Sequence, residues 1–134
     1  MASLTTEEKL LDRIFSEYIR LKDAKDGIVR CYTCGAFKHW KEVDAGHYIS
    51  RTHKATRWDK RNVHVQCKKC NSTMDWGRKG NLDEYALRLL KDYGQEVLET
   101  LNRAKWIPTK IDAFQVLAMI KHYKEEVKIL KDKE

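Results

Sequence analysis

The middle of the sequence contains two Cys-x-x-Cys turns, Cys31-Tyr32-Thr33-Cys34 and Cys67-Lys68-Lys69-Cys70. Each turn can place two thiolates on one ion, so the two together complete a tetrahedral zinc shell. In a reducing compartment this spacing favours metal ligation over disulfides, although a redox-active pair and unliganded core cysteines are the alternatives. Four cysteine ligands leave no open position for a substrate, nor for nearby His39. The sequence therefore predicts a structural zinc that ties the start of a central module, residues 28–80, to its end.

Outside this module the pattern is helical. A Thr5-x-x-Glu8 capping box opens an amphipathic helix over residues 5–25, and helical periodicity returns over residues 82–131, with a stop at Gly94 and another helix after Pro108. Within the module, alternating residues predict strands over 42–50 and 62–67, with a polar, basic loop between them. The predicted fold is α+β and mostly helical, in a single domain spanning residues 1–134.

The last helix carries an apolar seam that is close to a heptad repeat. Two uses of this seam are open: it could join two chains in a homodimer, or it could pack back onto its own domain. Its members are Val116, Ile120, Tyr123, Val127 and Leu130.

Positive charge is concentrated in the module. The chain has a formal net charge of +7, and residues 51–80 alone account for it, with nine Lys/Arg against two Asp. A confined basic surface predicts a polyanionic partner such as DNA, the alternative being an ordinary solubilising surface. With His53 and His64, the predicted DNA contacts are Arg51, Lys54, Arg57, Lys60, Arg61, Lys68, Lys69, Arg78 and Lys79. Packing is the expected role of Trp40, Trp58 and Trp76.

Membrane association is not expected. No apolar run approaches the roughly 20 residues that span a bilayer, and the N-terminus lacks the pattern of a signal peptide. The sequence thus predicts an intracellular, cytoplasmic protein.

Between and after the cysteine pairs, a strand ends in His47, Asn62 precedes a second strand, and Asn71 follows the last cysteine. This order of residues resembles the HNH (His-Me finger) nuclease motif. The resemblance implies a zinc-bound ββα-metal module in which His47 is the general base. It also assigns Asn62 to loop structure and orientation, and the side-chain oxygen of Asn71 to a catalytic Mg²⁺ or Mn²⁺. Arg51, just after the first strand, is a candidate for holding the scissile phosphate.

One position departs from the common HNH pattern. Many of these enzymes carry a metal-binding Asp directly before the base, whereas this chain has Gly46 there and its nearest acid is Asp44. The pattern Asp-x-Gly-His is instead similar to the nonspecific nucleases of the superfamily, in which one asparagine and several waters hold the metal. Direct metal contact by Asp44 is therefore left open.

A longer string, which adds Gly80-Asn81 and Tyr85 to these motifs, resembles the NinG (Rap) recombination proteins of phage lambda over residues 8–105. This resemblance implies cleavage of branched recombination intermediates such as D-loops and Holliday junctions. Little sequence preference is expected, because the Lys/Arg surplus lies in a loop and around a zinc turn, where its contacts should go mainly to phosphates. A noncatalytic zinc module that only binds nucleic acid is the main alternative. A restriction or homing nuclease is the third, but the sequence shows no appended element for reading DNA sequence.

Overall fold

The computed structural model describes residues 4–72 and 80–133. Ten helices and strands follow one another in this part of the chain, with a 3-10 turn at Trp40–Glu42: α1 Thr6–Leu21, β1 Ile28–Arg30, β2 Phe37–His39, β3 Val43–His47, α2 Lys54–Arg57, β4 Val63–Cys67, α3 Lys68–Asn71, α4 Leu82–Tyr93, α5 Gln95–Ala104 and α6 Ala113–Lys133. The predicted α+β, mostly helical architecture is confirmed.

Helix α1 begins as its sequence predicts. The Thr5 hydroxyl accepts from the backbone N–H of Glu8 at 3.0 Å, and the Glu8 carboxylate accepts from the backbone N–H of Thr5 at 2.9 Å. This capping box satisfies two N–H groups that a helix start leaves without partners. The helix ends at Leu21, before the predicted residue 25.

Two antiparallel hairpins form the β structure. The predicted pair is β3–β4, in a register that runs from Val43 opposite Cys67 to His47 opposite Val63. The predicted strands were longer than these by up to three residues at the loop ends. The other hairpin, β1–β2, was not predicted, because its strands have only three residues each and show no readable alternation.

The β3–β4 hairpin has helices on both faces. Val43, Val63 and Val65 point to one face and join a core with α1 and α6. Gly46 and His64 lie opposite each other on the other face. There Tyr85 of α4 contacts both residues through its hydroxyl. Because side chains alternate along a strand, neighbouring residues of the hairpin serve two different environments.

The seam of α6 packs against its own chain. Val116, Ile120, Tyr123 and Val127 are buried in the same core as α1, where the Tyr123 ring meets the Phe15 ring edge-on at 5.0 Å. Of the two uses that the sequence leaves open for this seam, the structure shows packing onto its own domain, because α1 covers these apolar residues.

Helices α4 and α5 enclose a smaller apolar cluster that contains Ile49, Tyr85, Leu89 and Leu101. They are separated at Gly94, whose φ of 88° lies in the region that glycine adopts most readily, as the predicted stop requires. Within the described residues, no helix has both the length and the apolar character needed to cross a membrane.

Candidate metal centre and cleft

The four cysteines converge on one point. Their Sγ atoms all lie within 4.8 Å of one another, and those of Cys34 and Cys67 are 3.7 Å apart. Zinc–sulfur bonds of about 2.3 Å in a tetrahedron set Sγ atoms roughly 3.8 Å apart. The cluster can therefore hold a metal ion such as zinc. It joins the turn after β1 to the end of β4, as the spacing of the cysteines predicts.

The thiols of this cluster differ in acidity. Burial opposes ionisation of Cys31, but hydrogen bonds from Thr33 and from the backbone N–H groups of Cys34 and Cys67 lower its pKa to about 6. Burial raises the pKa of Cys67 to about 12, and the charge of Cys31 adds to that increase. The negative charge of one thiolate thus opposes ionisation of another. A divalent cation bound among the sulfurs would offset this repulsion.

A cleft of about 1000 Å³ runs along one edge of β3. Strand β3 pairs only with β4 among the described strands, so its outer edge can line an open cleft. His47, Arg51, Asp44 and Asn71, all predicted site residues, line this cleft together. Asp44 and His47 reach the cleft from opposite faces of the strand, because they are three residues apart and side chains alternate between the two faces. Helix α1 supplies the opposite wall.

His47 is held through one ring nitrogen. Its Nε2 lies 2.9 Å from the carbonyl oxygen of Arg57, and since a carbonyl only accepts, Nε2 carries the proton. Nδ1 then carries the lone pair, and it has no hydrogen-bond partner among the described residues. Burial, together with the positive charges of Arg51 and Arg57, lowers the pKa of His47 to about 4. The ring is therefore neutral at pH 7 and can accept a proton at Nδ1.

The carbonyl that holds His47 is itself fixed by an ion pair that the sequence did not reveal. Asp12 of α1 accepts from Arg57 at 2.9 and 2.5 Å and from the indole N–H of Trp58 at 2.9 Å. Arg57 is 8% exposed, so its predicted DNA contact is corrected: the guanidinium is neutralised inside the protein. The partners lie 45 residues apart, and no local pattern in α1 distinguishes Asp12 from its other polar residues.

Two oxygen-bearing side chains meet at another part of the cleft. The Asn71 amide donates to Asp44 Oδ2 at 3.1 Å, and the Lys68 ammonium lies 2.5 Å from Asp44 Oδ1. A carboxylate and an amide oxygen are suitable ligands for a hard cation that keeps several waters. Outside the cysteine cluster, no three His, Cys, Asp or Glu side chains of residues 4–72 and 80–133 lie close enough to hold an ion by themselves.

The glycine before His47 has a packing reason. A Cβ at Gly46 would lie 1.9 Å from Oε1 of Gln66. The Gln66 amide is fixed there by donating to Gly80 O at 2.8 Å and to the Thr33 hydroxyl at 3.2 Å. An aspartate at position 46, directly before His47, therefore has no room in this chain.

Asn62 lies outside the cleft and is fully buried. Its Oδ1 accepts from the Ile49 N–H at 2.7 Å, and its amide donates to Ile49 O at 3.0 Å and Thr56 O at 3.1 Å. Asn62 thus ties the segment after β3 to the loop that carries Arg57.

His64 does not face solvent. It is 7% exposed, its Nδ1 lies 3.1 Å from the Tyr85 hydroxyl, and its Nε2 lies 3.0 Å from the Tyr93 hydroxyl. The ring stacks on Tyr32 at 4.0 Å. The predicted DNA contact is corrected for this residue, because both nitrogens and one ring face are occupied within the protein.

The remaining basic residues have different surroundings. Lys54 pairs with Glu8 at 2.8 Å and Arg61 with Asp59 at 2.9 Å, while Lys60 lies over the Tyr18 ring. Arg51 and Lys69 are exposed and His53 is half-buried. Trp58 is buried and Trp40 packs against the same core, as predicted. The predictions for Arg78, Lys79 and Trp76 lie outside the described residues.

Comparison with known proteins gives the family. The family model described as "Bacteriophage Lambda NinG protein" matches residues 2–134. This chain belongs to the NinG family. Protein ninG of Escherichia phage lambda is 30% identical over 115 residues, which cover 81% of this chain and 50% of that protein. Protein ninG of Escherichia phage 933W is 36% identical over 89 residues, which cover 61% of this chain and 41% of that protein.

The NinG-family chain thus spans half or less of the length of these two relatives. No solved structure matches it. The residues matched by the family model include both cysteine pairs and all the cleft residues named above.

Proposed function

We propose that this NinG-family chain is a metal-dependent DNA endonuclease that hydrolyses phosphodiester bonds in branched recombination intermediates, in the host cytoplasm and without sequence preference. The observation that carries the proposal is the state of His47. Its ring is neutral, one nitrogen is fixed on Arg57 O at 2.9 Å, and the residue lines a cleft with Arg51, Asp44 and Asn71.

The chemistry assigns a task to each cleft residue. His47 Nδ1 takes a proton from the attacking water, which is the usual work of a general base. Arg51 holds the scissile phosphate, because a guanidinium matches two phosphate oxygens at once. Asp12 fixes Arg57, whose carbonyl orients the ring, so it supports the base without touching the substrate.

Two metals have separate places in this proposal. Zinc is held by Cys31, Cys34, Cys67 and Cys70 and is structural, since four thiolates complete its shell. Mg²⁺ or Mn²⁺ would be held by Asn71 and Asp44, with Lys68 giving up its contact with Asp44. When bound, such an ion stabilises charge on the leaving 3′ oxygen.

Selectivity for branched DNA follows from charge and shape. Arg51, Lys68 and Lys69 are exposed cations around one cleft and zinc turn, and their contacts should go to phosphates, which carry no sequence information. A junction brings several backbones together, so a compact basic surface meets more phosphates there than on a linear duplex. Two nicks in one junction would require two chains, associated through a surface other than the covered α6 seam.

The test is incubation of the purified, zinc-loaded protein with Mg²⁺ or Mn²⁺ and a panel of linear, forked, D-loop and four-way DNAs. Metal-dependent nicking of the branched DNAs is expected, and it should be lost in His47→Ala and kept in His122→Ala, which removes an exposed histidine of α6. Equal nicking by His47→Ala would remove His47 from the mechanism. Equal affinity for four-way and linear DNA at fixed salt would remove the branched-substrate proposal.

One observation favours the noncatalytic alternative, a zinc module that only binds nucleic acid. Lys68 lies 2.5 Å from Asp44, so an internal cation already neutralises the carboxylate. Under this alternative the protein binds branched DNA with the same affinity whether or not Mg²⁺ is present, and no cleavage appears with either metal.

A further inference from the structure

A chain of hydrogen bonds crosses the protein from the surface to the residue before His47. It runs from the Tyr93 hydroxyl to His64 Nε2 at 3.0 Å, from His64 Nδ1 to the Tyr85 hydroxyl at 3.1 Å, and from that hydroxyl to Gly46 O at 2.7 Å. We infer that Tyr85 and His64 are positioning residues for His47, an assignment that rests on the proposed nuclease function.

The directions of two bonds in the chain are fixed by its last member, Gly46 O. Gly46 O can only accept, so the single hydroxyl hydrogen of Tyr85 points to it. The oxygen of Tyr85 is then left to accept, and His64 Nδ1 must donate. Burial lowers the pKa of His64 to about 4, so the ring is neutral at pH 7, and Nε2 carries a lone pair that accepts from the Tyr93 hydroxyl. The bond to Tyr85 requires that Nδ1 of His64 carries a proton.

Burial makes this arrangement strict. Tyr85 is fully buried, and His64 lies between Tyr32 and Tyr85 with 7% of its surface exposed. Water cannot readily replace a partner there, so an unpaired hydroxyl or ring nitrogen would cost free energy. The other acceptor near the Tyr85 hydroxyl is Asn62 O, at 3.4 Å, which is the longer and weaker contact.

The chain acts on His47 through the backbone. Gly46 O belongs to the peptide unit that ends at the nitrogen of His47, so a bond to this oxygen fixes the plane from which the His47 side chain projects. Glycine has the most conformational freedom of any residue. A hydrogen bond to Gly46 O therefore restricts the backbone more than the same bond would at another residue of the strand. The Tyr85 hydroxyl therefore fixes the backbone before His47, while Arg57 O fixes its ring.

The closing experiment compares Tyr85→Phe with Tyr123→Phe, which also removes a hydroxyl from a buried tyrosine but lies in the α1–α6 core. Steady-state cleavage of a four-way junction, DNA affinity without Mg²⁺, zinc content and the imidazole ¹⁵N spectrum of His64 are measured. We expect Tyr85→Phe to lower kcat at least about tenfold with KM and affinity within twofold of wild type. Tyr123→Phe should match wild type, and wild-type His64 should show the Nδ1–H tautomer.

A Tyr85→Phe enzyme that cleaves as fast as Tyr123→Phe would overturn the positioning role. A wild-type His64 protonated at Nε2 would also overturn it, and this measurement decides the matter if Tyr85→Phe does not fold. A wild-type protein that cleaves none of the DNAs would instead refute the proposed function, and the positioning role with it.

Discussion

The β3–β4 hairpin carries two histidines, the half-buried His47 and the buried His64, whose acidities look alike. Burial is the largest cause in lowering the pKa of both rings to about 4. The two rings differ in the hydrogen-bond partners of their nitrogens. His64 has both engaged, by Tyr85 and Tyr93, whereas His47 has one on Arg57 O and none of the described residues on the other. A perturbed histidine therefore becomes a candidate base only where a lone pair is left at a cleft.

The two rings also depend on different parts of the chain. His47 is supported by α1 through Asp12 and Arg57, and His64 by α4 through Tyr85 and Tyr93. Both faces share β4, which ends at Cys67 in the cysteine cluster. The cluster is thus the common support on which the two environments rest.

The largest expected effect removes that common support. Cys67→Ser takes one thiolate from a site whose metal can contribute on the order of 10 kcal/mol to folding, about the whole stability of a domain. We expect an insoluble or molten protein in which neither histidine environment persists, measured by near-ultraviolet circular dichroism and zinc analysis. Lys69→Ser, an exposed change in the same turn, should remain folded with one zinc. Well-folded wild-type protein without zinc would contradict the metal assignment.

The next effect separates the two histidines. His47→Ala should lower the cleavage rate by about 10² to 10⁴-fold while leaving DNA affinity unchanged, because it removes the proposed base and no phosphate contact. His64→Ala should destabilise the fold by roughly 2–4 kcal/mol, since it opens a cavity and removes one hydrogen-bond partner from each of the Tyr85 and Tyr93 hydroxyls. Junction cleavage and urea unfolding of both variants measure the contrast. The comparison fails if His64→Ala is as stable as His47→Ala.

Features set by local sequence spacing could be predicted, whereas features set by tertiary contacts could not. The capping box, the stop at Gly94, the β3–β4 pairing and the convergence of four cysteines were all predictable, because each is written in local spacing. The DNA contacts predicted for Arg57 and His64 were wrong, since charge and residue type do not encode burial. Asp12 could not be found at all, because its partner lies 45 residues away.

A smaller effect tests the close packing of Gly46 against Gln66 in the β3–β4 hairpin. A methyl group there would overlap Gln66, so Gly46→Ala should cost about 1–3 kcal/mol of stability. In Gly46→Ala/Gln66→Ala the overlap disappears, and the double variant should be more stable than the sum of the two single costs predicts. Urea unfolding of the four proteins gives the coupling energy. Additive costs would show that Gln66 moves aside freely.

The smallest effect concerns pH and applies to both rings. Each has a pKa of about 4 in the folded protein against an ordinary value of 6.5. Between these values the unfolded chain binds more protons than the folded one, so the free energy of unfolding falls as pH decreases from 6.5 towards 4. For one histidine the slope in the middle of this window is about 1 kcal/mol per pH unit.

Urea unfolding of wild type and His47→Ala between pH 5 and 6 isolates the contribution of His47, because proton uptake by the cysteine cluster affects both proteins alike. In the variant, the slope of the free energy of unfolding against pH should be smaller by about 1 kcal/mol per pH unit. Cleavage by the wild-type protein should not fall with a midpoint near pH 6.5, since the proposed base stays neutral. If the imidazole signals of His47 and His64 titrate near 6.5 in the folded protein, burial does not hold the two rings neutral. In that case His47 and His64 would differ from ordinary surface histidines only in their hydrogen-bond partners.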